Sequence, residues 1–259
     1  GQRVTLLGHD GPVAGVIGKQ AIHLMDQAAR DKLSRTHDLW IDIGARSRAE
    51  ALKQVGPGTP GVLASNLLRL PNDRIVSRSL DNRIGAVVVL EALRLLAAER
   101  PAVAVTAVAT TQEEIAYTGG GARTSATALD ALAAIVVDVT HATDSPGVER
   151  KRHGDIKLGG GPVLSRGAAV NPVVFDRLVE AAKAEGIPHA IHAAPRTTGT
   201  DADAIFTAHR GIATGLVSVP LRYMHSPSEL ATLDDIHHAA RLLAAFARRC
   251  DPALDLVPR

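Results

Sequence analysis

The sequence predicts an α/β fold: a mixed, largely parallel sheet flanked by helices, with a smaller β-rich domain beside it. Three observations carry this. Continuous apolar runs of strand length recur at Val103–Ala109, Ala133–Val137 and Ala213–Val219. Segments with helical apolar spacing lie between and after them. Apolar strands that alternate with helices indicate a sheet covered on both faces, with much parallel pairing. Third, residues 1–73 have a different texture, in which short apolar runs are cut by Gly and Pro turns.

Taken in order, Arg3–Leu7 opens the chain as a strand. The runs VAGVIG, DLWIDIG and GVLASNLLRL continue the β-rich part. One helix is expected there at 47–55, where Ser47 and Glu50 have the spacing of a capping box. From 74 the pattern changes. Asn82–Glu99 carries apolar residues at helical spacing (Ile84, Val87, Val88, Leu90, Leu93, Leu96), and Thr124–Leu132 is a second candidate helix. Pro172–Glu185 is a helix with Pro at its start and Gly186 at its end. Asp234–Arg249 is a terminal amphipathic helix. The expected boundary divides the chain into a small domain, 1–73, and a larger one, 74–259.

Composition excludes several function classes. The chain has 259 residues, enough for a sizeable core. It carries 29 Lys and Arg against 27 Asp and Glu, a net charge of +2, with no basic cluster to neutralise phosphates. One Trp, two Tyr and three Phe leave few platforms for stacking bases. No nucleic-acid partner is expected. No apolar run approaches the ~20 residues that cross a bilayer, so no membrane partner is expected either. The opening residues, GQRVTLLGHDG, do not read as a signal peptide. The single cysteine, Cys250, excludes an internal disulfide and a cysteine zinc knuckle, and it fits a reducing, cytoplasmic setting. The runs Gly119–Gly121 and Gly159–Gly161 lack the spacing of a P-loop or a dinucleotide fingerprint. No Gly-x-Ser-x-Gly elbow supports a serine hydrolase.

The polar residues of interest fall at strand ends. Glu113 and Glu114 follow the run Val103–Ala109, Asp138 ends the run Ala133–Val137, and His225 lies beyond Ala213–Val219. Asp81 precedes a helix. Ligands in open α/β sheets bind outside the carboxyl ends of strands. Asp, Glu and His suit zinc, cobalt or manganese. Carboxylates that converge in one pocket repel one another unless a cation joins them. Two cations ~3.5–4 Å apart form a hydrolytic device, and one further carboxylate can take the water proton. Each residue also has a plainer role. Asp81 can cap its helix, the Glu pair can be a solvated turn, Asp138 can cap a loop, and His225 can be a satisfied core histidine. His141, His153, His189, His192, His209, His237 and His238 are read as surface or loop histidines.

Six segments occur in order: SLDNRIGAVVVLEAL (79–93), TTQEEIAYTGGGARTSA (110–126), IVVDVTHATDSPG (135–147), KLGGGPVLSRG (157–167), GTDADAI (199–205) and GIATGLVSVPLRYMHSPSEL (211–230). Together they resemble the cytosolic metallo-aminopeptidase family that includes the glutamyl, lysyl, deblocking and tetrahedral aminopeptidases. The resemblance implies an α/β zinc-peptidase-like catalytic domain with two divalent metal ions, zinc or cobalt, with manganese as a further option. It implies a small inserted β-rich domain that helps assemble homo-oligomers, often tetrahedral dodecamers, and it implies peptide substrates. It makes Asp81 the carboxylate that bridges both metals and Glu113 the general base. Glu114 and His225 complete one metal site, and Asp138 binds the other. The family also takes a histidine from an N-terminal His-x-Asp segment that this sequence does not contain, and neither His9 nor His23 replaces it. The expectation is that the N-terminal part of the catalytic domain is missing from the chain. Ala116 stands where the family usually has Gly. The alternatives are a catalytically incompetent assembly or binding subunit, or a related metal-dependent amidohydrolase or deacylase. Paired carboxylates alone also fit a glycosidase, which the His225 and Asp138 pattern disfavours.

Overall fold

The computed structural model describes residues 1–115 and 119–258, with Ala29 described in its backbone only. The chain divides into two compact units, 1–66 and 67–259.

The small unit is built on one antiparallel sheet. Its strands are β1 (Arg3–Gly8), β2 (Gly11–Gly18), β3 (Trp40–Asp42) and β4 (Gly61–Leu63), in the order β3-β2-β1-β4. A tight turn joins β1 to β2, with Gly8 opposite Gly11. Val4 and Leu6 alternate inward along β1 and are buried. A short helix, α1 (Gln27–Arg30), and a second, α2 (Arg48–Gln54), complete the unit. The cap of α2 is the expected one: Ser47 Oγ accepts the N–H of Glu50. Glu50 reaches back one residue further than a standard box, to the N–H of Arg46.

The larger unit opens with β5 (Leu68–Leu70) and β6 (Arg74–Ser77), followed by the long helix α3 (Leu80–Ala98) and then α4 (Gly120–Leu129). Next come β7 (Ala133–His141), α5 (Arg150–His153), β8 (Val163–Gly167), α6 (Pro172–Ala184) and β9 (Ala190–Ala194). The unit ends with α7 (Ala202–Ile205), β10 (Ala213–Leu221), β11 (Glu229–Thr232) and α8 (Leu233–Arg248). The central sheet has the order β7-β10-β8-β9. β7 and β10 run parallel, β8 and β9 run parallel, and β10 meets β8 antiparallel. The sheet is therefore mixed, as predicted. A second, antiparallel sheet has the order β11-β6-β5.

Helices α3, α6 and α8 pack on the central sheet and on one another. The core between them is almost wholly aliphatic: Val88, Val174, Leu178, Val217, Val219 and Leu242 are at most 1% exposed. Each such side chain stabilises the fold by about 1.5–3 kcal/mol relative to exposure. α6 starts where Asn171 accepts the N–H groups of Val173 and Val174, with Pro172 in the first turn. It stops at Gly186, whose φ of +61° lies in the left-handed region that glycine adopts most readily.

The structure departs from the sequence expectations at three places. The apolar run Val103–Ala109 is not a strand, although its composition favours one. Strand state needs a ladder partner as well as β-branched side chains, and Val105 stands 40% exposed with none. β7 runs four residues beyond Val137, so Asp138 sits inside the strand and not at its end. The buried stripe of α3 is Ile84, Val88, Ala92 and Leu96, while Val87 and Leu90 face solvent. Ala116, the position at which the sequence departs from the family pattern, lies outside the described residues.

Candidate metal centre

The site grows from the start of α3. Ser79 lies in the left-handed region, and Asp81 and Asn82 are not yet helical. The residue that caps the regular helix is Asn82, not Asp81: Asn82 Oδ1 accepts the N–H of Gly85 at 2.8 Å. Its Nδ2 donates to the carbonyl of Val137 on β7 at 2.8 Å. That second bond ties the helix start to the strand that carries Asp138. Asp81 is thereby released from capping, and its carboxylate is free for other work.

Three ligand types converge there. His225 Nε2 lies 3.1 Å from Asp81 Oδ2 and 3.4 Å from Glu114 Oε2. One donor atom from each of Asp81, Glu114 and His225 falls within 4.8 Å of the other two. Among the described residues no other group of His, Cys, Asp or Glu meets at such distances. Glu113 and Glu114 occupy a short 3-10 turn, Glu113–Ile115, that follows a left-handed Gln112. Both carboxylates line one cleft of about 540 Å³, which Asp138 also lines. Asp138 stands outside the close trio. It is 7% exposed, and its Oδ1 accepts the N–H of Val139 at 2.8 Å. The structure thus places all five sequence candidates on one cleft and brings three of them into mutual contact.

The electrostatics of the cleft are those of too many anions. Burial pushes Asp81 up to about 6, and the neighbouring charges of Glu114 and Glu229 push the same way, while His225 opposes them. Burial pushes Asp138 up to about 7 against the pull of its bond from Val139, and Asp81 and Glu113 add repulsion. Glu113 is raised by burial first and then by Glu114, Asp201 and Asp81. Among the described residues no Lys or Arg lines the cleft. Oxygen donors and one imidazole nitrogen at these distances, with unbalanced negative charge, suit a divalent cation of the zinc, cobalt or manganese type. Asp81, Glu114 and His225 fit one such ion.

Other cleft residues went unrecognised in the sequence. His141, His153 and His192, read there as surface or loop histidines, all line the cleft. His141 and His153 meet edge to face with ring centres 6.5 Å apart. Burial lowers His141, with help from His153 and His225, so its ring favours the neutral form. His141 ends β7, so the strand-end rule that selected His225 would have selected it too. Thr198 and Thr200 complete that rim. Thr110 donates to Asp201 at 2.6 Å and so ties the strand of chain before Glu113 to the loop before α7.

Comparison with known proteins agrees with this geometry. Residues 1–242 match the family described as M42 glutamyl aminopeptidase. A lysyl aminopeptidase of Pyrococcus furiosus is 34% identical over 263 residues, covering 99% of this chain and 72% of the relative. A TET aminopeptidase from a marine sediment archaeon of the Thaumarchaeota superimposes with a TM-score of 0.90 at 32% identity, covering 97% of this chain and 71% of the other. A TET1 peptidase of Pyrococcus horikoshii, described as assembling into a tetrahedron or a large octahedral shell, superimposes with a TM-score of 0.82 at 29% identity, covering 96% and 72%. With its strand order, its cleft and its ligand trio alongside these matches, the chain belongs to the M42 glutamyl aminopeptidase family.

Proposed function

We propose that the protein is a metal-dependent aminopeptidase that removes N-terminal residues from peptides, in which Asp81 would help to hold both of two divalent cations. Glu114 and His225 hold one of them with Asp81, and Asp138 holds the other. The observation that carries this reading is the meeting of Asp81, Glu114 and His225 donor atoms within 4.8 Å in a cleft that all three line. When bound, such cations would supply Lewis acidity to the scissile carbonyl and would acidify the attacking water.

The chain's own residues do the rest. Glu113 lines the cleft without belonging to the close trio, and its raised proton affinity suits a general base. It takes the proton of the attacking water and returns it to the departing amine. His141, His153 and His192 give the cleft wall imidazole nitrogens that can hydrogen-bond the N-terminal side chain.

The small unit serves assembly in this reading. Its exposed apolar residues, among them Leu7, Leu24, Leu33 and Trp40, favour contacts with further copies of the chain. The tetrahedral or octahedral assembly of the Pyrococcus horikoshii relative supports the same conclusion. No helix among the described residues is long and apolar enough to cross a membrane, and the single free cysteine, Cys250, is consistent with work in the cytoplasm.

A mass-spectrometric time course tests the proposal. Free-amino peptides are mixed with the protein and either zinc or cobalt. Stepwise loss of single N-terminal residues is expected, with N-acetylated peptides spared. Internal cleavage, or no cleavage by a protein that holds its metal, would overturn it.

A further inference from the structure

One buried acid near the cleft has no place in the chemistry above. Glu229 is 2% exposed, and a carboxyl group so buried needs hydrogen-bond partners. Its two oxygens are both committed to backbone. Oε2 accepts the N–H of Asp81 at 3.1 Å, and Oε1 accepts the N–H of His225 at 2.9 Å. Those two residues are 144 positions apart in the chain and carry two of the three converging ligands.

The local fold explains how Glu229 reaches both. β11 pairs with β6 so that Glu229 lies opposite Ser77, four residues before Asp81. Arg222 and Leu230 exchange backbone hydrogen bonds of 2.9 and 3.0 Å, which closes the loop that carries His225. Glu229 lies at the base of that loop and turns its carboxylate back into it. Outside the loop, Arg222 pairs with Asp144 at 2.8 Å, which anchors the same hinge point.

Backbone conformation gives an independent reason for such an anchor. Ser79, Tyr223 and His225 have φ of 56°, 60° and 61°, the left-handed region that non-glycine residues seldom occupy. Residues stay there only where the surroundings fix them. The two hydrogen bonds of Glu229 are placed to do so on both sides of the site.

We infer that Glu229 is a positioning residue for the metal centre: one buried carboxylate clamps the backbones of Asp81 and His225 and sets the spacing of their ligand atoms. The inference rests on the metal-centre reading. It assigns Glu229 no contact with substrate or cation. Outer residues that orient metal ligands typically change metal affinity by about 10–100-fold when altered.

Glu229→Gln is the discriminating variant, because it keeps the size but turns an amide N–H₂ against one of two N–H donors. Asp235→Asn is its control. Asp235 is also a buried carboxylate that accepts two backbone N–H groups, those of Gly159 at 2.8 Å and Gly161 at 2.7 Å, and it does not line the cleft. Cobalt is titrated into metal-free wild type and both variants, and the dissociation constant and the visible absorption bands of the bound ion are recorded. Glu229→Gln is expected to weaken cobalt binding by at least about tenfold and to shift the bands, while Asp235→Asn keeps both at wild-type values. In turnover with saturating cobalt, Glu229→Gln lowers kcat more than it raises KM. If Glu229→Gln does not fold, Glu229→Asp, which keeps the charge on a shorter arm, carries the same comparison. Wild-type affinity and bands in a folded Glu229 variant would overturn the inference and leave the metal centre standing. Equal shifts in Asp235→Asn would also overturn it, since the effect would then be general loss of stability. Absence of cobalt binding by the wild type would overturn the metal centre and the inference together.

Discussion

Asp138→Asn makes the metal-free protein more stable, although it removes a proposed ligand. Asp138 is buried inside β7 and its pKa rises from 3.8 to about 7 on folding. A carboxyl raised in this way binds protons more tightly in the folded chain than in the unfolded one. Stability therefore falls as pH climbs from about 4 to about 7, and the loss is complete above that. At about 1.4 kcal/mol for each tenfold change, ionised Asp138 costs the fold about 4 kcal/mol at pH 8. Asn has nearly the shape of the protonated acid and keeps an oxygen for the N–H of Val139. In chelator-treated protein, Asp138→Asn is expected to melt about 10 °C above wild type at pH 8. At pH 4 the two should melt together. Added zinc reverses the order at pH 8, because it stabilises the wild type and much less the variant. Parallel pH profiles without metal, or a variant that melts lower at pH 8, would refute this.

Two further predictions concern the site's protons and a distant turn. Cations compete with the raised protons of Asp81 and Asp138, so zinc affinity measured by calorimetry should rise as pH passes through about 6 and about 7, with proton release on binding; an affinity flat over that range contradicts the burial of these acids. Gly161 has φ of +84°, and a Cβ there would collide with the carbonyl of Pro188, so Gly161→Ala should lose more than about 1 kcal/mol in urea denaturation, whereas an unchanged midpoint would show that the turn yields.

Much of the larger unit is legible in its residues because local signals and tertiary environment agree there. Pro172 and Gly186 bracket α6, and the Val-rich run that became β10 is buried on both faces in the middle of the sheet. The run Val103–Ala109 misled because composition reports what a strand prefers, not which neighbour supplies its hydrogen bonds. Asp138 looked like a strand terminus because polar Asp, Thr and His follow Val137, yet β7 continues through them. That Asp81, Glu113, Glu114, Asp138 and His225 share one cleft was legible from ligand chemistry and the ordered motifs, although the strand-end rule reached Glu113, Glu114 and Asp138 through a run that is no strand and a strand that continues past Asp138. Three things were not. Asn82 takes the capping role that the sequence reading gave to Asp81. His192 carries no local mark that separates it from surface histidines, and His141 was missed because the strand was expected to end at Val137. Glu229 works through backbone groups 148 and 4 residues away, and side-chain spacing does not encode those partners.

The central claim is that Asp81, Glu114, Asp138 and His225 hold the cations beside which Glu113 moves a proton. The most direct test is metal content and turnover measured on the same preparations of wild type, Glu113→Gln and His225→Ala. Glu113→Gln should keep the wild-type metal content by equilibrium dialysis and lose about 10²–10⁴-fold in kcat. His225→Ala should lose metal and activity together. Glu113→Gln with near wild-type turnover, or His225→Ala with full metal content, would contradict the account.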